Sequence, residues 1–138
     1  MQESPEAEAW LYGLFAGDAT MHGYTADRWY CGVAPAGTES PYGIFAYHAG
    51  HDVRGVGPAR IMTSTVYLVK VVATREHYLN QRLAASRLDA LLQAAYGTTA
   101  AGRILACVRD SEVNYKELSN GVEYRHLGGL YRLNVQPL

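Results

Sequence analysis

The chain has 138 residues, 49% hydrophobic and 18% charged, with a formal net charge of -1 and a sequence pI of about 6.5. This is the size of one domain, residues 1–138, with enough apolar material for a core of its own, and the composition is not that of a disordered chain. Near-neutral charge gives no electrostatic reason to expect nucleic acid as a primary partner; no apolar run approaches the roughly 20 residues of a membrane helix, and the acidic start lacks the basic and apolar regions of a secretory signal, so folding in a cytoplasm is expected.

The first element is a short helix. Ser4 suits its cap, Pro5 its first position, and Glu6 and Glu8 its positive end. Ala7, Trp10 or Leu11, and Leu14 with Phe15 recur at helical spacing, and Gly17 with Asp18 stops the run. Residues 19–27 read as a polar connection. Residues 28–33 read as a strand, 34–41 as a loop bounded by two prolines, and 42–47 as a second strand. Residues 48–60 contain three glycines and a proline without a clear period, which predicts a long Gly-rich loop.

Residues 61–73 form the strongest strand pattern. Val66, Leu68, Val71 and Val72 leave little room for water on either face, which predicts a central position. The main helix is expected over 74–97, its stripe formed by Leu79, Leu83, Leu88, Leu91, Leu92 and Ala95 and its end capped by Gly97. A strand at 103–109 follows, with 113–118 either a further strand or its extension. Asn120-Gly121 marks a hairpin turn, and 122–135 is the return strand. There Val122, Tyr124 and His126 alternate in one phase and Tyr131, Leu133 and Val135 in the other, which places a bulge at Gly128-Gly129. The order predicts an α+β fold: a mainly antiparallel or mixed sheet of about four to five strands, with a long helix and a short N-terminal helix on one face.

No nucleophile elbow, phosphate-binding loop, dinucleotide motif or Cys-x-x-Cys pair is present. Cys31 and Cys107 lie in apolar runs and are expected to be reduced and buried. His48, His51 and Asp52 are weak candidate metal ligands, because imidazoles three apart followed by a carboxylate suit a divalent ion if the loop folds back. A third ligand would come from His22, His77 or His126, and a small metal-dependent hydrolase is the corresponding remote reading. Against it, the flanking glycines favour mobility over a locked geometry. Glu112, Glu117 and Glu123 are candidates for a glycosidase-like acid/base pair, though a polar hairpin accounts for them as surface charge. Gly128-Gly129 could approach a phosphate, but the bulge explains it better. No catalytic residue, resident metal or cofactor is therefore expected. Eleven tyrosines and two tryptophans point instead to subunit contacts.

The arrangement resembles the tail completion or tail terminator proteins of long-tailed phages. The resemblance spans nearly the whole chain and rests on short segments. These are the helix Glu8-Ala9-Trp10-Leu11-Tyr12, the entry Pro41-Tyr42-Gly43-Ile44, the strand 63–72 leading into a helix at 79–92, and the closing run 124–133 with its paired glycines. The long segment 48–60 departs from compact members. The resemblance implies a non-enzymatic virion protein of the tail or neck, assembled in the host cytoplasm. Its subunits form a ring, as a hexamer, that ends tail-tube polymerisation and offers a surface for head-to-tail joining. The implied partners are copies of itself, the tail tube protein and a head-tail connector or head-closure protein, with DNA passing through the lumen without specific binding and no membrane. A head-closure or other neck protein is the alternative. A ring needs two unlike, matching patches. The expected interface residues are Tyr115, Tyr124 and Arg125 on the hairpin, and His48, His51, Asp52, Arg54 and Arg60 on the long segment.

Overall fold

The computed structural model describes residues 2–137. The elements run α1 (Glu3–Ala16), α2 (Ala19–Thr25), β1 (Trp29–Cys31), β2 (Tyr42–Arg54), β3 (Arg60–Thr74), a 3-10 turn (Arg75–His77), α3 (Tyr78–Leu92), β4 (Ala95–Thr98), β5 (Gly102–Ser119) and β6 (Val122–Pro137). The strands form one six-stranded mixed sheet in the order β1-β2-β3-β6-β5-β4. Only β1 and β2 are parallel; every other pair is antiparallel. The fold is α+β as expected, with six strands rather than four or five, and β3 sits centrally as its apolar run predicts.

All three helices cover one face. Ala7, Leu11 and Phe15 of α1, Met21 of α2, and Ala84, Leu88 and Leu92 of α3 are buried against Phe45, Tyr67, Val69, Val71, Tyr131, Leu133 and Val135. The Phe15 ring stacks on Trp29 at 4.0 Å between centroids. Burial of these side chains supplies the main driving force for docking the helices.

Five local expectations are corrected. Residues 19–27 hold a helix, not a connection: Asp18 accepts from the Met21 N–H at 2.9 Å, so it caps α2 rather than ending α1. The cap of α1 is Gln2 rather than Ser4. The main helix ends at Leu92, and Gly97 lies within β4. Its buried face is Gln81, Ala84, Leu88 and Leu92, whereas Leu79 and Leu83 are 63% and 40% exposed. Gln81 takes the place a leucine was expected to fill because two sheet carbonyls need a donor there. Its Nε2 donates to Val71 O at 2.7 Å and to Arg125 O, and its Oε1 accepts from Arg125 Nε at 2.7 Å.

The fourth correction concerns 48–60. β2 continues to Arg54, and only residues 55–59 separate it from β3. The apolar period fails because β2 outruns the helices, leaving residues from Tyr47 to Asp52 exposed on both faces, and because the pairing register shifts between Tyr47 and Ala49. The fifth concerns β6, whose pairing with β3 runs without a shift through Gly128-Gly129. The bulge lies on the facing strand, where Asp110 is the extra residue between Arg109, opposite Tyr131, and Ser111, opposite Leu130. The two apolar phases of β6 reflect burial on both faces, by the helices on one and around the segment 32–38 on the other. Tyr131, Leu133 and Val135 enter the helix-side core, while His126 is buried on the other face with Ile44 and Val72. Gly128 is required by space, since a Cβ there would lie 2.1 Å from Val69 O.

Candidate functional site

The two long hairpins put the expected interface residues at opposite ends of the sheet. At one end Arg54 pairs with Arg60, and Thr63 lies opposite Val135. At the other, Thr74 lies opposite Tyr124, next to the tight turn at Asn120 (φ 50) and Gly121 (φ 78). Both positive φ values suit a turn that matches the strand twist. β5 is a single strand that absorbs both 103–109 and 113–118.

On the first hairpin, His48, His51, Asp52 and Arg54 belong to β2 and Arg60 opens β3, all exposed. His51 lies opposite Ser64 and Asp52 opposite Thr63, so the two side chains leave opposite faces of the ladder. This overturns the folded-back loop on which their joint metal ligation depended. Asp52 instead accepts from Thr63 Oγ1 at 3.0 Å and faces Arg60 at 3.8 Å; Arg60 also meets the buried Glu3 carboxylate at 2.8 Å. The three further histidines lie elsewhere: His22 beside Asp27 at 3.0 Å, His77 against Ser40 Oγ at 2.7 Å, and His126 on the central sheet. No group of three or more metal-ligating side chains occurs among the described residues.

On the second hairpin, Tyr115 is half exposed and stacks on His126, with centroids 4.4 Å apart and planes 6° apart. Lys70 Nζ donates to the Tyr115 hydroxyl at 2.8 Å. Burial and the Lys70 charge push the His126 imidazole below its usual value, against the opposing pull of Glu117 at 3.3 Å. Tyr124, Tyr42, Lys70 and His126 line a cavity of about 360 Å³ roofed by residues 32–38. Burial, with Tyr124 and Glu117 nearby, raises the Tyr42 phenol. The cavity thus joins an apolar floor, Ile44 and Val72, to phenols and one ammonium. Arg125 faces inward and braces α3, donating to Gln81 Oε1 and to Tyr78 O at 3.1 Å with its guanidinium 4.2 Å from the Tyr78 ring centroid.

The three glutamates do not converge. Glu117 points to His126 on the face away from the helices, while Glu123 is held on the helix side by Arg75 at 2.9 Å and Lys116 at 3.7 Å. Arg75 first of all keeps the Glu123 carboxyl below the usual range. Glu112 lies opposite Gly129, six ladder positions from Glu123, or about 20 Å. Gly128-Gly129 is paired on both sides within the sheet rather than exposed to a phosphate. Both cysteines are free; Cys107 is buried, which pushes its thiol up to about 12, but Cys31 is exposed and donates to Glu8 Oε1 at 3.1 Å, contrary to expectation.

Sequence reasoning missed two open sheet edges. β1 pairs with β2 only at Gly43–Phe45, so β2 beyond Ala46 has no outer neighbour among the described residues. β4 pairs with β5 only between Arg103 and Cys107, so β5 from Val108 to Ser119 is likewise open. Leu118 is 76% exposed on that edge, and Val108 and Tyr115 are also exposed. The signal lay in unequal strand lengths: β1 and β4 have three and four residues, while the strands they flank have 13 and 18. Natural sheets usually shorten or cover such edges because they invite pairing.

No protein-family model matches the chain, and no curated protein matches its sequence. Among solved structures, the fold is similar to a chain described as "Virion of native gene transfer agent (GTA) particle", with a TM-score of 0.73, 12% identity and 97% of each chain covered.

Proposed function

We propose that this chain is a structural virion protein that forms a ring at the head-proximal end of a phage tail tube, where it ends tube growth and presents the surface for head joining. The observation that carries this reading is the shared fold over 97% of both chains with a component of a phage-like virion. The geometry supports it. The hairpin tips lie at opposite ends of the sheet and the open edges on opposite sides, so each subunit has two unlike lateral surfaces and two unlike axial ones. Unlike lateral surfaces give head-to-tail contacts that close into rings. Unlike axial ends suit a subunit with tube on one side and a head component on the other. His48, His51, Asp52, Arg54 and Arg60 belong to one end, Tyr115 and Tyr124 to the other, and Arg125 holds the second end in shape.

The test is localisation and growth control with purified components. Tagged protein added to assembling tail tubes should occupy one tube end and stop elongation. Binding to filled heads with none to tubes would favour a head-closure position instead. Binding to neither would contradict both.

A further inference from the structure

We propose that β5 of one copy adds to β2 of the next, so that the sheets of neighbouring subunits run on as one antiparallel sheet. The inference rests on the ring reading above and specifies its lateral contact.

Backbone direction identifies the free groups. The Arg109 N–H turns away from β6 and donates to Gln93 Oε1 at 3.0 Å. Alternation beyond the Asp110 bulge turns Glu112, Asn114, Lys116 and Leu118 outward as well. On β2, Phe45 O accepts from Gly32 N on the β1 side at 2.9 Å, so Phe45 and Tyr47 face outward; beyond the His48 bulge, Gly50 and Asp52 do. Exposed backbone donors and acceptors thus recur along both edges at strand spacing.

The occupant follows from the chain's own order. β2, β3, β6 and β5 alternate in direction, so β5 is antiparallel to β2. A rotation about an axis inclined to the strands keeps their relative sense, so β5 of one copy meets β2 of the next antiparallel, and the inclination takes up the eight ladder positions that separate the levels of Gly50 and Lys116 within one subunit. The outward residues of both edges carry side chains on the helix-covered face, so helix face continues into helix face. One register sets Gly50 opposite Lys116 and Asp52 opposite Asn114. It aligns Val53 with Val113 and places Arg54 across from Glu112. Both of those charged side chains are exposed, and neither has an ion-pair partner within its own chain among the described residues. Charge complementarity selects this register over the one two residues away that opposes Asp52 to Glu112.

The experiment measures self-association of the full chain by analytical ultracentrifugation, with residue-resolved amide exchange on dilute and assembled protein. Arg54→Glu and Glu112→Arg should each weaken association several-fold and leave thermal unfolding unchanged, while the double variant Arg54→Glu/Glu112→Arg restores it. The Glu112, Asn114, Lys116, Gly50 and Asp52 amides should gain protection on assembly. A ring in which those amides exchange as fast as in the monomer overturns the edge pairing and leaves the ring standing. Failure of the double variant to recover overturns the register. A chain that stays monomeric at every concentration overturns both the pairing and the ring.

Discussion

Tyr67 ties α1 to the centre of the sheet, and Tyr67→Phe isolates that tie. The ring is buried on β3, and its hydroxyl lies 2.7 Å from Glu8 Oε2 and 3.1 Å from Ser4 O. Burial, and then the Glu8 carboxylate, hold the phenol well above its usual value, so it stays a donor across the working pH range. A hydrogen bond to a charged acceptor contributes roughly 1.5–3 kcal/mol. Glu8 is only partly buried and recovers some of this from water, so the expected loss is about 1.5–2 kcal/mol. The ring itself is kept, so no cavity term adds. Urea denaturation should show a lower midpoint at unchanged slope, because the exposed area on unfolding hardly changes. Glu8→Gln keeps an acceptor and should lose about half as much. A loss below about 0.5 kcal/mol for Tyr67→Phe would refute the view that this bond clamps the helix.

Leu88→Ala should cost about 2–5 kcal/mol because the side chain is fully buried, whereas Leu83→Ala on the outer side of α3 should stay within about 0.5 kcal/mol; equal losses in denaturation would restore the six-residue stripe read from sequence. Gly43→Ala should destabilise by about 1–3 kcal/mol, since its Cβ would lie 2.3 Å from the Trp29 ring; calorimetry with an unchanged melting temperature would contradict the packing. The Asp18 carboxyl is held below its usual value chiefly by Arg87, whose guanidinium donates at 2.6 and 2.9 Å. A depressed folded value stabilises the fold above the unfolded pKa of about 3.9, and that contribution is lost as pH falls through the folded value. Asp18→Asn should therefore flatten the stability curve below about pH 4, and a curve of unaltered steepness would contradict the pairing.

What the sequence displayed depended on whether one physical demand dominated a segment. β3 was legible because it is covered on both faces over much of its length, and the β5–β6 turn because Asn-Gly meets a backbone demand few residues meet. α2 was hidden because Asp18 serves two tasks at once, capping α2 and pairing with Arg87, and because a seven-residue helix shows too little period. The distal half of β2 was hidden for the opposite reason: its residues from Tyr47 to Asp52 are exposed, so its glycines and histidines face water and the alternation vanishes. In α3 the buried Gln81 and the exposed Leu79 and Leu83 exchange the positions that hydrophobicity alone assigns. The candidate surfaces were legible as residues but not as geometry. Tyr115, Tyr124 and Arg54 were named from type and position. That Arg125 turns inward, and that two edges stand open, follows from pairing between strands distant in sequence.

Native mass spectrometry over a concentration series tests the central claim most directly. The account predicts one closed species at a fixed multiple of the 15.1 kDa subunit, persisting as concentration rises further. A monomer throughout the series, or a ladder that lengthens without closing, would contradict it.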